Sequence, residues 1–479
     1  MNGFLLAALT LLVAAAGAAQ SAPKNVLLLI ADDQGLDLSC YGNPRIQTPN
    51  LDRLAAEGTR FANGFATVSS CSASRSVILT GLFNHTNGQF GHAHDPANLQ
   101  THSWVRSLPR LLKDHGYVTG VIGKLHVNPP AVYPWDYQGA SEGAGGGNRN
   151  VADMAHKAAE FFTRFAGKPF YLHVGYSDPH RAGQGFGNDR EYPGVKRISY
   201  EPSAVLVPNH LPDQPEVRQE LAEHYQAISR LDQGVGLILR ALQESGQDRN
   251  TLVIYVSDNG IPFAGAKTSL YDAGVHLPLL VRSPSQKRRG VVNQAMVSWV
   301  DLVPSVLEWT GAPPPAGYQL PGRSFLPVLE EENASGWDQV FLSHTFHEIT
   351  MYYPMRGIRT REYKYIRNLT PEMDFPHASD LFESPTWQGI VRRQDKMMGA
   401  RSVASYLRRA AEELYDLRAD ARETNNLASH PAHRRTLEEL RRRVEEFRLR
   451  TNDPWNMLSH QRGEPWAKGQ HSHQRQHPH

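Results

Sequence analysis

Several pairs of chemically capable residues recur in this sequence, each directly after a short apolar run. Asp32 and Asp33 follow residues 26–30, and Lys124 and His126 follow 118–122. Asp178 and His180 follow 170–174, and Asp258 and Asn259 follow 252–256. Asp32, Asp33, Asp258 and Asn259 are all oxygen donors. Hard oxygen ligands select Ca²⁺ or Mg²⁺ over softer metals. Three carboxylates crowded together repel one another, and a divalent cation relieves that. No Cys/His pair has the spacing of a zinc site. Cys71 and Arg75 add a second kind of chemistry. Cys71 stands just ahead of an apolar helical stretch, 77–79, where free N–H groups and the helix dipole favour an anion. Arg75, about one turn on, offers a planar fork to anionic oxygens. That spacing describes an anion site with a reactive sulfur.

The four apolar runs read as buried strands. Helical patterns at 50–57, 105–115 and 152–165 separate them. Such alternation argues for an α/β sheet covered on both faces. In an open sheet of this kind ligands bind outside the carboxyl ends of the strands. The four pairs are therefore expected on one rim. A Pro- and Gly-rich stretch, 313–322, reads as a linker or long loop. Beyond it, 339–343 and 363–367 read as strands and 434–449 as a helix. Leu437, Leu440, Val444 and Phe447 fall on one face of that helix at core spacing.

A chain of 479 residues is too long for one ordinary domain. The expected division is a leader at 1–19, a large region at 24–330, a smaller one at 336–460 and a His-rich tail at 461–479. The leader is rich in Leu, Ala and Val and ends in small residues, which predicts export with cleavage. No later stretch is apolar enough to span a bilayer. The net charge of +2 gives no reason to expect nucleic acid as a partner. Only Cys40 and Cys71 are present, too few for a disulfide scaffold. The Gly-rich segment 139–150 lacks the lysine of a phosphate loop and reads as a connection.

Cys71-Ser72-Ala73-Ser74-Arg75, followed by Leu79-Thr80-Gly81, resembles the signature of the sulfatase family. Ala31-Asp32-Asp33-Gln34-Gly35, Thr48-Pro49-Asn50-Leu51-Asp52, Gly123-Lys124, Ser257-Asp258-Asn259-Gly260 and Glu413-Leu414-Tyr415-Asp416-Leu417 resemble further landmarks of that family. The likeness runs from about residue 25 to 455. Within the family, His347-Glu348-Ile349-Thr350-Met351 and Tyr353-Pro354-Met355-Arg356 resemble the heparan-sulfamidase branch. So do Lys124-Leu125-His126-Val127 and Asp178-Pro179-His180-Arg181.

The resemblance implies an alkaline-phosphatase-like fold: a large mixed sheet flanked by helices, with a smaller C-terminal α+β region holding an antiparallel sheet. It implies that a maturase oxidises Cys71 to formylglycine. One Ca²⁺ would lie among Asp32, Asp33, Asp258, Asn259 and residue 71. Arg75, Lys124 and Lys267 would hold sulfate oxygens. His180 or Lys267 would protonate the leaving group, and His126 would take the proton that re-forms the aldehyde. His347 and Glu348 would recognise a sulfated glycan, with N-linked sulfate on glucosamine as the expected target. An O-sulfatase, or a glycan-binding protein with unmatured Cys71, are the alternatives. An exported location is implied, periplasmic or secreted, or lysosomal in a eukaryote, and a homodimer by analogy. Two positions depart from the pattern. Ala73 stands where the family usually has Pro, which bears on the maturase. Lys267 stands where the sulfamidase branch tends to carry Arg, which bears on the substrate.

Overall fold

The computed structural model describes residues 24–139 and 149–457. The expected leader, the His-rich tail and most of the Gly-rich connection lie outside these residues.

Eight strands form the main sheet: β1 (Asn25–Ala31), β2 (Thr59–Phe65), β3 (Val118–Gly123), β4 (Tyr137–Gly139), β5 (Phe170–Gly175), β6 (Thr251–Ser257), β7 (His276–Arg282) and β8 (Val291–Ser298). Their order is β4-β3-β5-β1-β6-β7-β2-β8. The pairings are parallel except at β7, which runs against both β6 and β2. In β1, Val26, Leu28 and Ile30 pack into one apolar cluster, while Leu27 and Leu29 pack into another on the opposite face. The alternation follows from the two-residue repeat of a strand. Both faces being covered, the central strands β1, β5 and β6 read as continuous apolar runs; every one of their residues is buried.

A second sheet follows the linker. It contains β9 (Gln339–Phe346), β10 (Tyr352–Thr360), β11 (Tyr363–Asn368) and, after a two-residue ribbon of β12 (Met397–Met398) and β13 (Arg401–Ser402), β14 (Glu412–Asp416). Its order is β14-β11-β10-β9, antiparallel throughout. The helix Arg434–Arg450 buries Leu437, Leu440, Val444 and Phe447, the stripe its spacing predicts.

The sequence-based elements differ from the structure in places. The helix expected from 105 starts at Leu108, because Ser107 caps it by accepting from the Arg110 amide. Strands β2, β7, β8 and β10 carry no clear predicted counterpart. Neither does a 30-residue helix, Pro215–Glu244. Its buried side includes Glu220, His224, Arg230 and Asp232, which interrupt the apolar period.

Candidate active site

Strands β3, β5, β1 and β6 are consecutive neighbours and parallel. Their carboxyl ends therefore share one edge, and the four residue pairs meet there. The backbone interlocks the ends: the Asp32 amide donates to the Asp178 carbonyl at 3.0 Å, and the Lys124 amide to the Gly175 carbonyl at 2.7 Å. A Cβ on Gly175 would sit 1.9 Å from the Lys124 carbonyl and 2.9 Å from an Arg75 nitrogen. Only glycine lets these groups approach so closely.

Helix α1 (Pro49–Glu57) is capped from a distance. The Asp232 carboxylate accepts from the amides of Asn50 and Leu51. Helix α2 (Cys71–Thr80) brings in the sulfur. Its N-cap, Ser70, makes no side-chain cap; its hydroxyl instead lies 2.9 Å from Nδ1 of His347. Cys71 is the first helical residue and is fully buried, with Sγ 3.7 Å from Oδ1 of Asp33. Cys40 and Cys71 are both free thiols.

Arg75 is fully buried on the same helix. It donates to Asp258 at 2.8 Å and to the Lys124 carbonyl at 2.9 Å. Lys124 donates to Asp32 at 2.5 Å. Lys267 is fully buried and bridges Asp33 at 2.8 Å and Asp380 at 2.7 Å. Its Nζ lies 3.3 Å from Nε2 of His180, whose Nδ1 is 2.6 Å from the Arg181 carbonyl. A carbonyl only accepts, so the proton is on Nδ1 and Lys267 donates to Nε2. Asp178 plays another part: Arg149 and Arg230 clamp its carboxylate, at 2.6 and 2.7 Å, behind the site.

The charges explain one another. Burial opposes ionisation of Asp32, but Lys124, His180 and Arg75 hold its pKa well below the usual carboxylate range. Asp258 is pushed up to about 7 by burial and by the neighbouring Asp32. Burial would discharge Lys267, yet Asp33 and Asp380 keep its pKa well above that of a free lysine. Burial, only partly offset by Lys124 and Lys267, raises the Cys71 thiol far above its ordinary value. A thiol held neutral in this way is a poor nucleophile as encoded. Burial and Lys124 keep His126 neutral, and neither of its buried ring nitrogens has a hydrogen-bond partner. Its backbone has a φ of 60°, a conformation non-glycine residues seldom adopt.

A hard cation fits this rim. Asp32, Asp33 and Cys71 offer ligand atoms within 4.8 Å of one another. Oδ1 of Asp32 and Oδ1 of Asn259 are buried with no hydrogen-bond partner, a costly state that a cation would relieve. Asn259 turns its other end to Asp33 at 2.6 Å. Asp258 is more committed, with its oxygens on Arg75 and on the Asp33 amide.

His347 stands beside this group through Ser70. Glu348 does not join it. Its carboxylate accepts from the amide and hydroxyl of Ser379 and so secures the segment that carries Asp380. Asp380, His92 and His94 lie at the site although spacing marks none of them. His92-Ala93-His94 places two imidazoles two residues apart, the one local cue available.

Residues 24–312 match the sulfatase family model, and residues 265–397 match the model for the C-terminal region of N-sulphoglucosamine sulphohydrolase. Human N-sulphoglucosamine sulphohydrolase is 40% identical over 468 residues, spanning 92% of each chain. An ulvan-active sulfatase of Formosa agariphila is 29% identical over 431 residues, spanning 88% of this chain and 79% of its own. A solved structure described in complex with its substrate, D-glucosamine-2-N,6-O-disulfate, superposes with a TM-score of 0.65 at 20% identity. It covers 90% of this chain and 99% of that one and shares the fold, a large mixed sheet with a smaller antiparallel one. The rim of acids and cations around Cys71 and these likenesses agree: the chain belongs to the formylglycine-dependent sulfatase family, hydrolases of sulfate esters and sulfamates, and is closely related to the N-sulphoglucosamine sulphohydrolases.

Proposed function

We propose that this protein removes N-linked sulfate from glucosamine residues of heparan-type glycans, using Ca²⁺ and a formylglycine made from Cys71. One observation carries the substrate assignment. The C-terminal sulphohydrolase model covers 265–397, the stretch that contains Lys267, His347 and Asp380, with Glu348 securing the Asp380 segment through Ser379. Asp32, Asp33, Asp258 and Asn259 would hold the cation. In the mature residue the oxygens of a hydrated aldehyde would stand in place of Sγ, and the cation would supply the charge that favours their ionised, nucleophilic form.

The chain's own residues then have distinct tasks. Arg75 and Lys124, fixed by Asp258 and Asp32, present fixed positive charge to sulfate oxygens. Lys267 is held as an ammonium by Asp33 and Asp380. It is the proton donor to the departing amine, because Nε2 of His180 is unprotonated in the resting arrangement. His180 accepts a hydrogen bond from Lys267 at Nε2 and so fixes the direction of the ammonium. His126, neutral and unpartnered, is placed to accept a proton.

No helix among the described residues is long and apolar enough to cross a membrane. The leader expected at 1–19 supports an exported enzyme, periplasmic or secreted, or lysosomal in a eukaryote, that meets a formylglycine maturase. An O-sulfatase reading rests on Lys267 standing in place of the branch's usual Arg. The test compares N-sulfoglucosamine with glucosamine 6-O-sulfate, using the native chain and Cys71→Ala. Faster turnover of the N-sulfated sugar, lost in the variant, is expected. Preference for the O-sulfate overturns the substrate, and full activity of Cys71→Ala overturns the chemistry. Mass spectrometry of the peptide containing Cys71 reads the modification directly.

A further inference from the structure

His92, His94 and His126 converge beside the acidic rim. One ring nitrogen of each lies within 4.8 Å of the others. The rings of His94 and His126 stack in parallel at 5.0 Å, and His92 lies 4.7 and 5.1 Å from them. His92 is only 7% exposed, and neither it nor His126 has a hydrogen-bond partner on either nitrogen. A buried ring nitrogen without a partner is costly, so the cluster is built for something that supplies partners. His94 is the exposed member. Its Nδ1 lies 2.9 Å from the Asp95 carbonyl, so Nδ1 bears the proton and Nε2 keeps its lone pair. Imidazoles that bind metals are commonly fixed in this way.

The backbone beneath is pinned on three sides. The His92 amide donates to the His347 carbonyl at 2.8 Å. The Ala93 amide donates to the Ser72 hydroxyl at 3.1 Å, and the Ala93 carbonyl accepts from Asn128 at 2.8 Å. The two histidines are thus tied to helix α2 and to the loop after β3, which carries His126.

We infer that His92, His94 and His126 form a second metal site, for a transition ion of the Zn²⁺ type, and that its occupation switches the sulfatase off by taking His126. Neutral imidazoles suit zinc, nickel and copper, whereas the all-oxygen rim suits calcium. Three histidines with an open fourth position for water are a familiar zinc arrangement. Burial pushes His92 down to about 2 and keeps His126 neutral, so no proton competes for their lone pairs. Lys267 and Lys124 oppose a cation here, and Asp380 and Asp32 oppose those lysines. Exposed His94 gives the ion its way in.

The inhibition rests on His126 being a working residue of the proposed reaction; the binding does not. The test titrates calcium-loaded, full-length protein with Zn²⁺ and compares it with His94→Ala. Calorimetry counts bound zinc, and sulfatase rates read inhibition. The native chain is expected to bind one equivalent more than the variant. Each protein is read against its own zinc-free rate, and in the variant the inhibition constant rises by at least ~10-fold. The His-rich tail is the same in both proteins, so the difference reports the cluster. Equal stoichiometry overturns the site. Equal inhibition of the two proteins, or relief by excess Ca²⁺, overturns the switch and points to displacement of calcium. If the proposed reaction itself is wrong, the protein fails the sulfatase assay yet still loses one zinc equivalent on substitution.

Discussion

Asp380 holds Lys267 at 2.7 Å and has a second oxygen buried without a partner. It is therefore a positioning residue for the proposed proton donor. Asp380→Asn keeps the shape and removes the charge. The sign comes from the ion pair: with one carboxylate fewer, the Lys267 pKa falls from its raised position. Activity that needs the ammonium is then lost at lower pH, so the alkaline limb of the rate profile moves down. A kcat loss of up to ~10²-fold at neutral pH is expected, the lower end of general acid catalysis. An unmoved alkaline limb, with only stability reduced, would show Asp380 to be structural. At this scale the sequence is legible where topology makes it so. Asp32, Asp33, Lys124, His180, Asp258 and Asn259 come directly after strands, and parallel neighbouring strands deliver such residues to one edge. Asp380 belongs only to a four-residue helix, Ser379–Phe382, in the second half of the chain. No local pattern relates it to a lysine 113 positions away.

The C-terminal helix Arg434–Arg450 is fastened at its end by a buried ion triad. Asp453 receives a two-pronged contact from Arg356 of β10 at 2.8 and 2.9 Å, and Arg448 of the helix lies 3.3 Å away. All three side chains are fully buried. Breaking such a group leaves buried arginines uncompensated, and Asp453→Asn is expected to cost about 3–5 kcal/mol. Burial raises the Asp453 pKa, but Arg356 and its neighbours overcome this and hold it far below the ordinary value. A carboxylate lowered on folding stabilises above its unfolded pKa, about 3.9, and loses that contribution as pH falls further. Denaturant unfolding of both proteins should therefore differ by a constant amount from pH 7 to about 5, and by less below about 4. A gap that shrinks in the neutral range would assign the effect to another group. The apolar stripe of this helix is plain in its 3.6-residue period, whereas the triad that secures it is not. The helix Pro215–Glu244 shows the converse: its buried charges serve Asp178 and α1, and they hide the period that would have announced it.

Across the whole molecule the two sheets are fused at the site. Phe65 and Met296 of the first share an apolar cluster with Val340, Met355 and Tyr415 of the second. The Ser343 amide donates to the Thr67 carbonyl at 2.7 Å, and the Phe346 amide to the Phe90 carbonyl at 3.1 Å. His347 meets Ser70, and Asp380 meets Lys267, so both sides of the candidate site cross the same seam. Chains of this length commonly unfold in stages. Here the seam borders the proposed cation rim, and a ligand bound to the rim stabilises whatever must be folded to form it. Ca²⁺ at about 100 times its dissociation constant adds about 2.7 kcal/mol to that unit. If the rim depends on both sheets, calorimetry should show one transition, which moves up by several degrees when calcium replaces chelator. The rise should vanish in Asp33→Ala, which removes a rim oxygen and the partner of Lys267. Two transitions, of which calcium moves only one, would show that the first sheet builds the rim alone and that the second merely covers it.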